Sequence, residues 1–302
     1  MKILSKLHEK LHNNKFVVTG ECGPPRGANR EVIDKKIDLL KDYVDAVNVT
    51  DNQTAIVRMS SIAASAHLVA AGLEPVMQMV VRDRNRIAIQ SDIMGAYSLG
   101  IRNILCLSGD HQKFGSQPDA MNVFDIDSVN LLRTVRDMRD TGKDMSGFDL
   151  DLAPKMFIGA AANPFADPFE YRVLRLAKKI DAGADFIQTQ CIYNMDRFKE
   201  WVRRAREEGL TNKIYILGGV TPLRSAGMAR YMDNKVAGMD IPQNIIKRMD
   251  GVDKKNQARE GIKICLETIE ELKGMDGVHG VHIMAIEWEE AVADIVEQAD
   301  LK

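Results

Sequence analysis

The segment Phe16-Val-Val-Thr-Gly-Glu-Cys-Gly-Pro-Pro-Arg26 decides how the rest of the chain is read. An apolar run stops at Glu21 and breaks at Cys22-Gly-Pro-Pro, the pattern of a buried strand entering a loop. A carboxylate ending such a strand lies at the rim of the sheet, where α/β proteins place their ligands. Pro24-Pro25 stiffens the exit and removes two backbone donors. A carboxyl on a rigid mount over an apolar floor has a raised pKa, as a general acid needs near neutral pH. A helix N-cap or a solvated loop acid fits the same local pattern, and this stretch alone does not choose between them.

Outward from this segment the rhythm repeats. Apolar strand segments that end in polar residues or glycine are expected at 44–50, 75–81, 103–107, 156–161, 186–189, 213–217 and 280–286. Segments with helical spacing lie between them, at 31–40, 59–71, 86–99, 128–139, 169–182, 196–208 and 223–272, with a last one at 289–298. Eight strands alternating with helices predict an α/β fold, a (β/α)8 TIM barrel. An open doubly wound sheet has the same local rhythm, but no GxGxxG follows the first strand. No linker or shift in composition marks a boundary, so residues 1–302 are expected to form a single domain.

Composition narrows the function. A chain of 302 residues can bury roughly three quarters of its unfolded surface. Its 41 basic and 43 acidic residues are interspersed, which argues against an extended nucleic-acid or membrane surface. Cys22, Cys106, Cys191 and Cys265 are far apart and form no CxxC pair, which argues against a disulfide framework or a cysteine zinc site. No signal peptide opens the sequence and no apolar run approaches ~18 residues, so the cytoplasm is the expected location.

In a barrel the strand ends meet in one cleft. Here they carry Glu21, Thr50, Gln78, Asp110, Asn163, Gln190 and Gly218-Gly219. The set has no cluster with metal-ligand spacing, and the six histidines read as packing or surface residues. Cys22 and Cys191 follow strand-end polar residues, and for both a packing role is the simpler reading.

These residues carry a resemblance. Glu21-Cys-Gly-Pro-Pro, Gly100-Ile-Arg-Asn-Ile-Leu-Cys-Leu-Ser-Gly-Asp110, Lys179-Ile-Asp-Ala-Gly-Ala-Asp185 and Thr189-Gln190 stand in the order and spacing of the methylenetetrahydrofolate reductase family. The likeness extends over nearly the whole chain. It implies a flavin-dependent barrel that reduces the methylene bridge of 5,10-methylenetetrahydrofolate to a methyl group. By the same residue-by-residue matching, Glu21 is the general acid, Asp110 the carboxylate near the flavin and pterin, and Gln190 an amide at the substrate site. Thr50, Gln78, Ser108, Gly109, Asp110, Phe124, Asp125 and Asn163 would contact the flavin. Arg172, Arg175 and Lys179 share a helix face that suits its phosphate, and FAD or FMN both remain open. Lys178 can equally be an exposed flank. The resemblance also implies a folate substrate and an oligomer.

The chain departs from the family at several points. Cys22-Gly23 replaces two frequent aromatics, Gln78 a His, Asn163 a Tyr, and Trp288 an Arg that often meets the folate tail. Met228 and Met232 stand near the residues that pack nicotinamide in NADH-using members, with Met228 also a substrate-site position. Methionine gives no fixed stacking plane. The expectation is therefore poor reduction by NAD(P)H and electrons delivered by an iron–sulphur partner subunit, as in some bacterial members. Two other classes fit the same strand ends. One is a non-redox pterin-binding methyl-transfer barrel. The other is an aldolase-type barrel using Gly218-Gly219 as a phosphate loop, although no strand-end lysine offers a Schiff base.

Overall fold

The structure is a computed structural model that describes residues 2–236 and 238–302. Eight parallel strands close into a barrel in chain order. They are β1 (Val17–Cys22), β2 (Ala46–Val49), β3 (Pro75–Val80), β4 (Asn103–Leu107), β5 (Phe157–Ala162), β6 (Phe186–Cys191), β7 (Tyr215–Val220) and β8 (Gly280–Ile283). The helices are α1 (Lys6–His12), α2 (Glu31–Leu40), α3 (Ser61–Ala70), α4 (Arg86–Ser98), α5 (Ser128–Thr141), α6 (Tyr171–Asp181), α7 (Met195–Glu207), α8 (Ala226–Lys235), α9 (Gln243–Asp250), α10 (Gln257–Lys273) and α11 (Glu290–Gln298). The expected barrel is therefore the observed one. The region 223–272 resolves into three helices, α8 to α10, and the last strand stops at Ile283 rather than 286.

Local chemistry sets the boundaries. Asn85 caps α4 by accepting from the backbone N–H groups of Ile87 and Ala88, and Asp127 caps α5 by accepting from Asn130. Gly142 ends α5 with φ +67°, a left-handed conformation that glycine adopts without a Cβ clash.

Strand alternation sorts the barrel interior into layers. The floor is apolar: Val17, Ala46, Val76, Leu105, Phe157, Phe186 and Leu217 pack with Leu7 and Leu11 of α1. This short helix plugs the N-terminal mouth. Glu74 holds its start by accepting from the backbone N–H of Lys6 and Leu7 at 3.0 and 2.9 Å, and His8 stacks on Phe157 at 4.5 Å. Gly159 leaves room for the Phe186 ring, which a Cβ there would meet at 2.3 Å. With the lower mouth closed, the described residues leave the C-terminal end of the barrel open to a ligand. Among the described residues no helix is long and apolar enough to cross a membrane.

Candidate active site

The open mouth holds a cavity of about 370 Å³. Seven of the residues expected at the site line it: Glu21, Gln78, Asn163, Arg172, Arg175, Lys179 and Gln190. Each strand contributes alternate residues, so the inward position two before a strand-end residue forms the layer beneath. Thus Thr19 lies below Glu21, Asn48 below Thr50 and Gln188 below Gln190.

That second layer is polar and internally bonded. The Asn48 and Gln188 amides donate to each other's carbonyl oxygens at 2.6 and 2.9 Å. Gln188 also donates to Thr19 Oγ1 at 3.2 Å. Thr19 Oγ1 lies 3.0 Å from His282 Nδ1 and 3.4 Å from the Val281 carbonyl. Thr19 thus fixes the ring of His282 through Nδ1, and the other nitrogen, Nε2, faces Glu21 Oε2 at 3.9 Å. Burial holds His282 down to about 4, so the pair is not ionic at neutral pH.

Glu21 is the most perturbed carboxyl of the cavity wall. Its side chain is 13% exposed. Burial, aided by the Glu289 carboxylate and opposed by the Lys36 ammonium, raises it from 4.5 to about 7. A carboxyl at that value can hold a proton and release it near neutral pH. Of the two readings of this residue, the helix cap is excluded, because Glu21 lies within β1 and faces the cavity.

The opposite wall is cationic. Arg172, Arg175 and Lys179 project from α6 at three- and four-residue spacing. Lys179 Nζ donates to the Ala161 carbonyl, and burial plus the two arginines bring it down to about 8. No carboxylate among the described residues lies within 4.0 Å of these three cations, so the wall carries positive charge that no ion pair offsets. Lys178 is exposed and outside the wall.

Other expected residues lie elsewhere. Thr50 is buried beside the mouth, and its Oγ1 has no hydrogen-bond partner. Asp110 is exposed and accepts from the Thr54 backbone N–H at 3.1 Å. There it steadies a turn in which Asn52, Thr54 and Ala55 all have positive φ. Ser108 donates to Ser128, and Gly109 packs closely on Val80 at φ +88°. Phe124 is on the surface, and Asp125 is clamped by the Arg86 guanidinium at 2.8 Å and held down to about 2. Met228 and Met232 pack in a separate cluster with Ala229, Ile241 and Met249 and do not line the cavity. Gly218 and Gly219 lie within β7, where a Cβ on Gly219 would come 2.3 Å from the Thr189 carbonyl. Their role is close strand packing, not a phosphate loop. Burial pushes the Cys22 and Cys191 thiols up to about 12, so neither is a ready nucleophile.

Strand-end reasoning missed Thr19, Asn48, Gln188 and His282. Parity would have found the first three, each two residues before a chosen position. His282 is paired in register with both Thr19 and Gly219, which turns it inward. It is not a surface or packing histidine. Among the described residues no group of three or more His, Cys, Asp or Glu is placed to hold a metal ion.

The fold and mouth together define a (β/α)8-barrel protein with a proton-holding carboxyl facing a cationic wall. A family model described as methylenetetrahydrofolate reductase matches residues 6–300, and the chain belongs to that family. A probable methylenetetrahydrofolate reductase (NADPH) of Caenorhabditis elegans is 24% identical over 83% of the chain and 36% of its own length. The 5,10-methylenetetrahydrofolate reductase of Pectobacterium carotovorum subsp. carotovorum is 24% identical over 71% of the chain and 66% of its own length. The chain thus spans about a third of the eukaryotic relatives and about two thirds of the bacterial ones. A solved Clostridium thermocellum protein described as binding two copies of 5-methyl-5,6,7,8-tetrahydrofolic acid superposes with TM-score 0.66 and 17% identity. The superposition covers 97% of this chain and all of that one, and shares the barrel fold.

Proposed function

We propose that this chain reduces 5,10-methylenetetrahydrofolate to 5-methyltetrahydrofolate, with Glu21 as the general acid and a non-covalently held flavin as the immediate reductant. The observation that carries this reading is the raised carboxyl of Glu21 facing the cavity, with neutral His282 beside it. Family membership and the names of the curated relatives point to the same reaction. The methyltetrahydrofolate bound by the superposing Clostridium protein supports a folate in a mouth of this shape.

The residues present suit a flavin. Arg172, Arg175 and Lys179 supply unpaired positive charge for its phosphate. Thr50 offers a buried hydroxyl without a partner among the described residues, and Gln78 and Asn163 offer amides in the cavity wall. Bound there, a flavin would supply the hydride that reaches the methylene carbon. The remaining chemistry belongs to the chain. Glu21 gives its proton to N10 of the folate as the C–N10 bond breaks, leaving an iminium at N5. In the tautomer with its proton on Nε2, His282 steadies the charge that Glu21 then carries. Gln190 holds the pterin by its amide, and the apolar floor above α1 keeps water from below.

No Phe, Tyr or Trp lines the cavity among the described residues. The wall therefore lacks a flat partner for nicotinamide, which supports reduction through an iron–sulphur protein subunit rather than by NAD(P)H. The first test is the absorbance spectrum of the purified protein, with the released cofactor identified. Protein that is colourless and takes up neither FAD nor FMN contradicts the proposal.

A further inference from the structure

Next to the mouth, outside the cavity wall, lies a largely buried ion pair. Lys36 of α2 donates its ammonium to Glu289, the residue that precedes α11. Their side chains are 18% and 10% exposed. Among the pairs between elements distant in sequence, this one stands beside the acid. A Cβ built on Gly23 would lie 4.0 Å from Lys36 Nζ and 3.9 Å from Thr50 Oγ1. The ammonium thus sits against the turn that leaves β1, two residues after Glu21. An ion pair at this depth loses much hydration, so it needs a further reason to be there.

We infer that the Lys36–Glu289 pair is a tuning device for Glu21, its two opposed charges setting how firmly that carboxyl holds its proton. This rests on the reading of Glu21 as the acid. Glu289 raises the proton affinity of Glu21 and Lys36 lowers it, with the carboxylate the stronger of the two. Both charges also act on the Cys22 thiol next to it. The other groups facing Glu21 are His282 of β8, neutral at working pH, and the uncharged Cys191 thiol of β6. Across the cavity stand Arg172, Arg175 and Lys179 of α6. None of these belongs to the pair, so changing the pair leaves them in place. Neither side chain lines the cavity, which makes them positioning residues and not catalytic ones. Their expected signature is a pair of opposite effects. Removing the negative charge leaves an ammonium near Glu21 and weakens its hold on the proton. Removing the positive charge leaves a carboxylate and strengthens it.

The test is an infrared titration of the protonated Glu21 carboxyl in the intact protein, isolated by subtracting the spectrum of Glu21→Gln. The expected midpoint is about 7 in the parent chain. Glu289→Gln is expected to lower it, and Lys36→Gln to raise it, each by about one pH unit. Lys36→Arg keeps the charge and is expected to leave it in place, which serves if a neutral variant does not fold. Midpoints that do not move, that move in the same direction, or that move with Lys36→Arg overturn the inference, as does the absence of any Glu21 titration between pH 5 and 9. Opposite shifts with folate turnover surviving in Glu21→Gln would uphold the tuning device and refute Glu21 as the acid, whereas opposite shifts with no folate turnover in the parent chain would refute the reductase reading.

Discussion

His282 Nε2 stands 3.9 Å from Glu21 Oε2 at the mouth of the barrel, with the imidazole held neutral and oriented by Thr19. In the proposed mechanism His282 supports Glu21, one step removed from the folate. His282→Gln is expected to keep the fold and any bound flavin, and to slow folate-dependent oxidation of the reduced protein by about tenfold. Loss of the acid itself costs roughly a hundredfold or more. Stopped-flow rates decide this, and a His282→Gln rate equal to that of the parent chain removes His282 from the mechanism.

The raised Glu21 also has a cost in stability. Between 4.5 and about 7 the folded chain keeps a proton that the unfolded chain has lost. Stability therefore falls as pH rises through that window, by about 3 kcal/mol in all. Glu21→Gln removes this dependence. At pH 8 the variant is expected to unfold at higher denaturant than the parent, with the difference vanishing near pH 4.5. A variant no more stable than its parent at pH 8 would mean that Glu21 is not held in its neutral form by burial.

The strand-end logic is sufficient for the barrel, and half of the residues expected at the site line the cavity. Mainly apolar runs ending in polar residues locate all eight strands, because both faces are covered and only a few inward positions, such as Thr19, Asn48 and Gln188, are polar. Helix α1 is poorly marked in the sequence: seven residues with two histidines and two lysines carry little periodicity, and its burial depends on Glu74 and Phe157, which are distant in sequence. Glu21, Gln78, Asn163 and Gln190 were legible because each ends or nearly ends a strand. Asp110 and Asp125 do not line the cavity, and their place depends on loop partners, Thr54 and Arg86, that no spacing rule connects to them.

The cationic wall predicts how the cofactor is held. Lys179→Met and Arg172→Gln are each expected to weaken flavin binding by tenfold or more, and added salt to weaken the parent chain's binding more than the variants'. Fluorescence titration with FAD and with FMN measures this. Unchanged affinity in both variants would move the phosphate away from α6.

The aromatic-free cavity predicts the electron donor. With the isolated chain, NADH and NADPH are expected to reduce the flavin slowly or not at all, while a reduced viologen does so readily. Fast bleaching by millimolar NADH in a stopped-flow mixing experiment would establish a complete nicotinamide site and leave the partner subunit without a motive.

The most direct test joins the acid to the reaction. The flavin-loaded protein is reduced anaerobically with a viologen, then mixed with 5,10-methylenetetrahydrofolate while the flavin absorbance is followed. The parent chain is expected to reoxidise and yield 5-methyltetrahydrofolate. Glu21→Gln is expected to reduce as readily and then to reoxidise at least about a hundredfold more slowly. Reoxidation of Glu21→Gln at the parent rate, or a parent chain that does not reoxidise with this folate, would contradict the account.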